Sequence, residues 1–165
     1  MQPRDAGPGD FARILALNAA VVQFLSPLDT PRLAWLHSLA AYHRVLEVDG
    51  EVAGFLLAIR EGTGYDSPNY RWFAARYPRF LYIDRVVVAP GRQGLGLGRR
   101  LYEDLLGVAR QSAAGLVTCE YDLDPPNEAS RRFHAGFGFA EVGTQRVGAT
   151  GKRVSLQQLV LGPSP

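Results

Sequence analysis

The chain is poor in the residue types that mark several classes of protein. Its 165 residues include one cysteine, Cys119, which excludes an internal disulfide or a multi-cysteine metal site and favours a reducing compartment. Because Cys119 lies in an apolar stretch, we expect a buried small hydrophobe rather than an acylated nucleophile. No apolar run approaches the ~20 residues of a membrane span, and the opening MQPRDAGPGD lacks a signal-peptide core. We therefore expect a soluble cytoplasmic protein.

An excess of charge of one sign is also absent. The 18 basic and 16 acidic residues give a formal net charge of +2, which gives no reason to expect binding to nucleic acid or to a membrane surface. Lys152 is the only lysine, and we attribute this skew toward arginine to codon bias rather than to phosphate recognition. The length and the hydrophobic fraction of 47% are typical of a globular protein, so we expect residues 1–165 to form a single domain.

Hydrophobic spacing and turn residues predict alternating strands and helices. Asp49-Gly50 is a strong hairpin signal, and an aromatic-rich stretch at about 62–79 is too long for an ordinary connection, which indicates a functional insert with some helix around Trp72. Strand–helix alternation between antiparallel pairs predicts a mixed α/β sheet. The predicted strands are 42–48, 51–60, 80–88, 116–121, 139–147 and 152–160, and the predicted helices are 10–23, one from Thr30, 98–110 and one that ends near Ala135.

The clearest functional signal is a glycine-rich turn that reads VVVAPGRQGLGLGRR over residues 86–100. A strand, an exposed loop and a helix N-terminus in succession direct unpaired N–H groups and the positive end of a helix dipole to one point. The turn fails the P-loop pattern, because Leu97 and Gly98 stand where lysine and serine or threonine are needed. It also fails the dinucleotide-binding pattern, because Arg99 replaces the third glycine. The turn therefore has the features of an anion site but matches neither of these two phosphate-binding motifs.

Two motifs carry a resemblance to a known family. Gln93-x-x-Gly96-x-Gly98, after a valine-rich strand, resembles the pyrophosphate-binding loop of the GNAT superfamily of N-acetyltransferases. Downstream, Asn127 to Phe139 is similar to the superfamily's motif Asn-x-x-Ala-x-x-x-Tyr-x-x-x-Gly-Phe. The resemblance covers most of the chain, and within the superfamily the pair Phe133-His134 is similar to that of a group of predicted, uncharacterised acetyltransferases.

The second motif departs from the family at two positions. Ser130 replaces the usual alanine and His134 the usual tyrosine, and the pair Phe133-His134 is similar to that of phosphinothricin-type acetyltransferases. In the family this tyrosine is proposed to protonate the departing thiolate, and histidine is chemically competent for that step. The alternative is a histidine that fills the same space and bonds to a backbone carbonyl. Asn127 is expected to cap its helix or to hold the pantetheine arm.

The resemblance implies both a fold and a cofactor. The fold is a GNAT-like mixed, mostly antiparallel sheet of six or seven strands with helices on both faces. The cofactor is acetyl-CoA, no metal is implied, and the acetyl group passes directly to a bound amine. The coenzyme-binding residues that the resemblance implies are Val86, Val87, Val88, Gln93, Gly94, Leu95, Gly96, Leu97, Gly98, Arg99, Asn127, Ser130, Phe133 and His134.

Carried over from the family, the catalytic groups lie on the strand before the turn and in the second motif. Besides His134, the resemblance implies that the Val88 N–H stabilises the developing oxyanion. Asp84, on the same strand, is a candidate base for the amine, and an ion pair with Arg85 is the equally weighted alternative. Glu120 and Glu61 are weaker candidates for the base.

The aromatic-rich insert precedes the catalytic strand and is a candidate wall of the acceptor site. Within it, Asp66 suits a cationic amine and Arg71 a carboxylate, so we expect a small-molecule or amino-acid-like amine. An aromatic mini-core or a dimer contact explains the same aromatics equally well. The candidate acceptor residues are Tyr65, Asp66, Tyr70, Arg71, Trp72 and Tyr82.

Two other functions stay open at this stage. One is a non-catalytic acyl-CoA-binding module that regulates a partner through the insert. The other is a transferase of a longer acyl group. Homodimers are common in the superfamily, but the sequence of this chain does not indicate its oligomeric state.

Overall fold

The computed structural model describes residues 1–22 and 25–162, and within those ranges it contains seven strands and five α-helices. A 3-10 turn at Pro8–Asp10 precedes the first helix. No helix in the described residues is long and apolar enough to cross a membrane. The strands are β1 Arg4–Asp5, β2 Tyr42–Val48, β3 Glu51–Arg60, β4 Leu81–Val88, β5 Leu116–Asp122, β6 Ala140–Val147 and β7 Lys152–Val160, and the helices are α1 Phe11–Ala19, α2 Thr30–Leu39, α3 Pro68–Ala74, α4 Leu97–Gln111 and α5 Glu128–Phe137.

The seven strands form one sheet in the order β1-β2-β3-β4-β5-β7-β6. The pairs β1–β2, β2–β3, β5–β7 and β6–β7 are antiparallel, and β4–β5 is parallel. This mixed, mostly antiparallel sheet confirms the predicted fold class. The chain divides into two units, Met1–Ile59 with Ile83–Val108 and Arg60–Tyr82 with Ala109–Pro165. The single domain expected from the sequence stays a prediction.

Most predicted element boundaries agree with the structure, and β2, β3 and β7 begin and end where predicted. Helix α1 ends at Ala19, well before the predicted end at Gln23, a residue outside the described ranges. The β-branched Val21 and Val22 disfavour further helix, and the Asn18 side chain donates to the Ser26 carbonyl at 3.1 Å as the chain turns back.

The first unit has its own apolar core beneath β2 and β3. Asp49 and Gly50 have φ angles of 54° and 77°, which is the geometry of a type I′ hairpin turn. A Cβ at Gly54 would lie 3.0 Å from the Val87 carbonyl oxygen, so glycine allows the β3 and β4 backbones to approach closely. The core includes Ile14, Leu17, Leu33, Val45, Phe55, Val87 and Ala89.

The second unit joins the insert to the start of β4 and to the C-terminal strands. Parallel pairing matches Leu81 with Val117 and Tyr82 with Thr118. The insert contains the predicted helix, α3. A Cβ at Gly143 of β6 would lie 2.5 Å from the indole of Trp72, so this glycine leaves room for α3 to pack against β6.

Two histidines lie side by side in the first unit. His43 of β2 is buried, and its Nδ1 lies 2.8 Å from Nδ1 of His37 in α2. The ring of Phe11 meets His37 edge-on, and the ring of Phe55 meets His43 in the same way. Burial, and then the neighbouring His37, lowers the pKa of His43 from 6.5 to about 4, while Asp10 acts in the opposite direction. His43 is therefore neutral well into the acid range.

We expect the free energy of unfolding to fall as the pH falls from 6.5 to about 4. The unfolded chain, with its ordinary histidine pKa, takes up a proton before folded His43 does. For a pKa lowered to about 4, the loss amounts to about 3 kcal/mol. Urea denaturation between about pH 7 and pH 4.5 measures it. His43→Leu should reduce the slope and leave the part due to His134, whose pKa burial also lowers.

An equal slope in the wild type and in the His43→Leu variant would contradict this assignment. The titration of Asp10 does not contribute to the slope between pH 6.5 and about 4.5. Its pKa is lowered below 3.8, chiefly by a hydrogen bond from Arg4, so its contribution to stability is lost only at lower pH.

Candidate functional site

The glycine-rich turn leaves β4 and enters α4 through the left-handed region of backbone conformation. Gly94 and Gly96 have φ angles of 83° and 77°, which other residues rarely adopt. A Cβ added at either glycine would meet nothing within 4 Å, and Gln93 and Leu95 are exposed. The Gly96 carbonyl accepts the Arg100 N–H at 3.0 Å. Gly96 therefore caps α4, and open space lies in front of the turn.

The main chain of this turn has the properties of an anion site. The N–H groups in the first turn of α4, which begins at the buried Leu97, have no carbonyl four residues earlier in the helix. They also lie at the positive end of the helix dipole. Nearby arginines have other contacts: Arg99 pairs with Glu103 at 3.5 Å, and Arg100 donates to the Met1 carbonyl at 2.8 Å. The backbone supplies the donors that an anion would meet.

The end of β4 presents its backbone in alternating directions. Val87 is buried, and Val86 and Val88 are half-buried. The Ala89 N–H donates to the Ala53 carbonyl of β3 at 2.7 Å. Since successive N–H groups of a strand point to opposite edges, the Val88 N–H points away from β3. This direction is compatible with the oxyanion role predicted for it, which stays a prediction.

Asp84 lies in a buried ion pair. Its Oδ2 accepts from Nε of Arg85 at 2.6 Å, and the two side chains are 4% and 3% exposed. The Arg85 guanidinium also donates to Oδ1 of Asn18 at 3.0 Å, and to the carbonyl and hydroxyl of Ser26 at 3.2 and 3.0 Å. The ion pair that the sequence left as an alternative for Asp84 is therefore present.

Helix α5 begins at the cap that its motif predicts, and the polar residues of the motif lie on successive turns. Oδ1 of Asn127 accepts the Ser130 N–H at 3.1 Å, so Asn127 caps the helix. His134, one full turn beyond Ser130, is buried. Its Nδ1 lies 2.7 Å from the Ser130 carbonyl and 3.2 Å from the Ser130 hydroxyl, and its ring meets that of Phe133 edge-on. The second motif thus organises its polar residues around one turn of helix.

The protonation of His134 follows from these contacts. Burial lowers its pKa below 6.5, and the hydrogen bond to the Ser130 backbone opposes that effect. A carbonyl oxygen only accepts, so the single proton of the neutral ring lies on Nδ1. At neutral pH, Nε2 is therefore an acceptor. This arrangement matches the alternative of a histidine bonded to a backbone carbonyl, and it provides no proton on Nε2 for a departing thiolate.

The six predicted acceptor residues, five in the insert and Tyr82 on β4, separate into buried and exposed groups. Tyr65, Tyr70 and Tyr82 are buried, and the ring of Tyr70 lies 5.5 Å from that of Tyr65 and 5.7 Å from that of Tyr82. The Tyr70 hydroxyl donates to the Arg60 carbonyl at 2.7 Å. These contacts form the aromatic mini-core that the sequence left open.

The three remaining candidate acceptor residues are at least partly exposed. Asp66 and Arg71 are exposed, and Trp72 is half-buried. Arg76 stacks over the Trp72 indole at 3.7 Å from its centroid. Of the six candidate acceptor residues, these three are therefore the ones with surface accessible to a solute.

Glu120, which the sequence offered as a weaker candidate for the base, lies at the end of a chain of hydrogen bonds in the second unit. The Tyr82 hydroxyl donates to its Oε1 at 2.6 Å and to its Oε2 at 3.0 Å. Asn69 of α3 donates from Nδ2 to Oε1 at 2.9 Å. Gln145 of β6 donates in turn from Nε2 to Oδ1 of Asn69 at 2.7 Å. Sequence reasoning missed Asn69 and Gln145, because their meeting depends on how α3 packs against β6.

Cys119 is buried, as predicted. Burial, and then the neighbouring Glu120, raises the pKa of the Cys119 thiol well above its ordinary value. Since the thiolate is the nucleophile, the structure gives no support to an acyl-cysteine at this position.

The sequence model of the acetyltransferase (GNAT) family matches residues 12–139 of the chain. A stretch of 61 residues is 46% identical to the phosphinothricin N-acetyltransferase of Streptomyces coelicolor. That stretch is 37% of this chain and 34% of the relative, so the chain matches about a third of that relative's length.

Solved structures resemble the chain over nearly its whole length. The yncA protein of Salmonella typhimurium, determined with its cofactor acetyl-CoA, is 26% identical with a TM-score of 0.72, over 100% of this chain and 96% of that one. The ribosomal-protein-alanine N-acetyltransferase of Brucella melitensis is 25% identical with a TM-score of 0.73, over 98% and 100%. Ard1 of Thermoplasma volcanium reaches a TM-score of 0.80 over 98% and 97% at 16% identity, which shows the fold alone.

We expect Asp84→Asn to lower the free energy of unfolding by about 3 kcal/mol, because it removes the carboxylate from a buried ion pair and leaves the Arg85 charge inside. Urea denaturation at neutral pH measures the change. Glu103→Gln is the matched control, since its pair with Arg99 is more than half exposed on both sides and should contribute about 0.5 kcal/mol or less. Equal effects of the two substitutions would contradict a structural role for Asp84.

Proposed function

Because this chain belongs to the acetyltransferase (GNAT) family, we propose that it transfers the acetyl group of acetyl-CoA directly to the amine of a small-molecule or amino-acid-like acceptor. The observation that carries the proposal is the glycine turn, whose left-handed Gly94 and Gly96 leave open space before the N-terminus of α4. Bound acetyl-CoA supplies an acetyl thioester, which an amine attacks as the coenzyme leaves as a thiolate.

The residues present fit the coenzyme. Its diphosphate needs several N–H donors and close approach to main chain, and the turn offers both because side chains are missing at its two left-handed positions. We propose that Gln93 to Arg99 hold the diphosphate and that the backbone of Val86 to Val88 holds the pantetheine arm. The Val88 N–H then stabilises the negative charge that develops on the acetyl oxygen.

The amine must lose a proton before it can attack, and we propose Glu120 as the proton acceptor. Asp84 is committed to Arg85 in a pair of side chains that are 4% and 3% exposed. Glu120 is half-buried, and it accepts hydrogen bonds from the Tyr82 hydroxyl and the Asn69 amide. We therefore favour Glu120, whose carboxylate these two contacts hold in place.

His134 is proposed to act as a hydrogen-bond acceptor rather than as the acid. With its proton on Nδ1, its Nε2 can accept from an N–H or S–H of the coenzyme. Its pKa, lowered below 6.5 by burial, keeps this form dominant at neutral pH. We further propose that Asn127, Ser130 and Phe133 of the same motif line the coenzyme.

The acceptor is proposed to be a small amine that carries a carboxylate or a similar anion. One relative is named for phosphinothricin, an amino-acid-like amine, and another for the alanine of a ribosomal protein. Asp66 and Arg71 expose opposite charges on the insert, which suits an ammonium and a carboxylate. Trp72 offers a partly exposed aromatic face beside them.

We expect acetyl-CoA and CoA, but not ATP or NAD, to raise the melting temperature. At about 100 Kd the ligand stabilises the folded state by about 2.7 kcal/mol, or about 5 °C for a protein of this size. Gly94→Ala and Gly96→Ala should each lose most of the shift, because a Cβ would enter the space proposed for the diphosphate and because alanine disfavours the left-handed φ at both positions. Differential scanning fluorimetry measures each variant against its own ligand-free melt.

Gly91→Ala is the matched control for the turn. Gly91 is exposed, lies outside the left-handed region, and would also accept a Cβ without contact. It should keep the full shift. If neither coenzyme form shifts the wild type, the proposed donor site is wrong.

We expect Glu120→Gln to lower kcat by about 100-fold or more, as for loss of a general base, and to remove the acidic limb of the pH–rate profile. His134→Phe should weaken acetyl-CoA binding but keep that limb.

Thiol release is measured with a panel of amines that includes phosphinothricin, free amino acids and a peptide with N-terminal alanine. Asp84→Asn is compared at a temperature where it stays folded.

Three results would contradict the proposed base, the proposed role of His134 and the proposed acceptor, in that order. Loss of the acidic limb in the folded Asp84→Asn variant would return the base to Asp84. Loss of the basic limb in His134→Phe would restore the acid role predicted from the family motif. If only the peptide of the panel is acetylated, the acceptor is the N-terminus of a protein and not a small molecule.

A further inference from the structure

The insert carries a buried amide that points at a carboxylate. Asn69, the second residue of α3, is 8% exposed, and its Nδ2 donates to Oε1 of Glu120 at 2.9 Å. Burial of an amide is costly unless each of its polar atoms finds a partner. At Asn69 both atoms do, since Oδ1 accepts from Nε2 of Gln145 at 2.7 Å.

These contacts fix the direction of the Asn69 amide. An ionised carboxylate only accepts hydrogen bonds, so the nitrogen of Asn69 must face Glu120. Its oxygen then faces Gln145, which in turn must present its own nitrogen. A reversed Asn69 would set its oxygen against a carboxylate oxygen. Gln145, on β6, donates to the oxygen that this orientation turns toward it and so stabilises the orientation in which Asn69 donates to Glu120.

A second donor reaches Glu120 from a fixed position. The Tyr82 hydroxyl donates to Oε1 at 2.6 Å, and the Tyr82 ring packs against Tyr70 and Phe73 of α3 at 5.7 and 6.0 Å between centroids. Tyr82 is 1% exposed, so its ring has little room to move. The Tyr82 hydroxyl also lies 3.0 Å from Oε2, so the two donors constrain both the position and the rotation of the carboxylate.

We propose that Asn69 is a positioning residue for Glu120, and that Gln145 acts through it by donating to the Asn69 oxygen and so holding its amide in place. This inference rests on the proposed function, in which Glu120 receives the proton of the amine. It gives the aromatic insert a second purpose: its mini-core holds α3 so that Asn69 meets the carboxylate. All of these residues belong to the second unit.

The test follows the titration of Glu120 itself. Protein labelled with glutamate carrying ¹³C at the carboxyl carbon gives one signal for each of its seven glutamates, and Glu120→Gln identifies the signal of Glu120. Removal of a donor to a charged acceptor should raise the Glu120 pKa by about one unit in Asn69→Ala. Gln145→Leu should give a smaller rise, because it frees Asn69 to turn.

Gln157→Leu is the matched control. Gln157 is also a buried amide with two hydrogen bonds, to Tyr121 and Ser155. It pairs with Cys119, whereas Glu120 pairs with Leu156, so alternation places it on the opposite face of the sheet. A general loss of stability would therefore appear in the control, and the Glu120 titration should not change there.

Kinetics provide the second measurement. With an amine that the wild type acetylates, Asn69→Ala should move the acidic limb of kcat/KM upward by the same amount and lower kcat about tenfold or more through misplacement of the base. The KM for acetyl-CoA should not change. Asn69→Ser, which keeps a short donor, should recover part of both effects.

The outcomes separate this inference from the proposed function. A Glu120 titration in Asn69→Ala and Gln145→Leu that matches the wild type would overturn the positioning role, even in an active enzyme. A wild type that acetylates no amine of the panel would instead count against the proposed function. If Asn69→Ala does not fold, Gln145→Leu decides alone, since it leaves α3 intact.

Discussion

Arg85 brings a positive charge into the interior of the first unit, where water cannot reach its side chain. Asp84 supplies the counter-charge, and Asn18 and Ser26 accept from the two terminal nitrogens of the guanidinium. These contacts tie the end of α1 and the segment after it to β4. The strand that leads into the glycine turn is thereby held from one side by a charge that must remain satisfied.

In the second unit, Glu120 accepts hydrogen bonds from the Tyr82 phenol and the Asn69 amide. The two carboxylates that the sequence offered as bases therefore have different surroundings. Asp84 forms a buried ion pair with Arg85, and the proposed role in proton transfer falls to Glu120.

Local pattern predicted much of this arrangement. Glycine spacing and the strand before it identified the turn, since backbone conformation there depends on residues close in sequence. The cap at Asn127 and the hairpin at Asp49-Gly50 were predicted for the same reason. The end of α1 was not, because Asn18 turns toward Ser26 through a contact that helical spacing does not reveal.

The features that the sequence did not predict are long-range. Asn69 and Gln145 lie far apart along the chain, and no spacing rule brings them to one carboxylate. The sequence also did not predict the tautomer of His134, because the tautomer depends on which ring nitrogen contacts the Ser130 carbonyl. Motif reasoning identified the residue, and geometry was needed to identify its chemistry.

The two tryptophans offer a spectroscopic view of the division into units. Trp35 belongs to α2 of the first unit, and Trp72 belongs to α3 of the second, where it covers Gly143. Each unit therefore contains its own intrinsic fluorophore. Single-tryptophan proteins would emit from one unit at a time, so the two melting curves would reveal directly whether the halves of the chain unfold as one cooperative body.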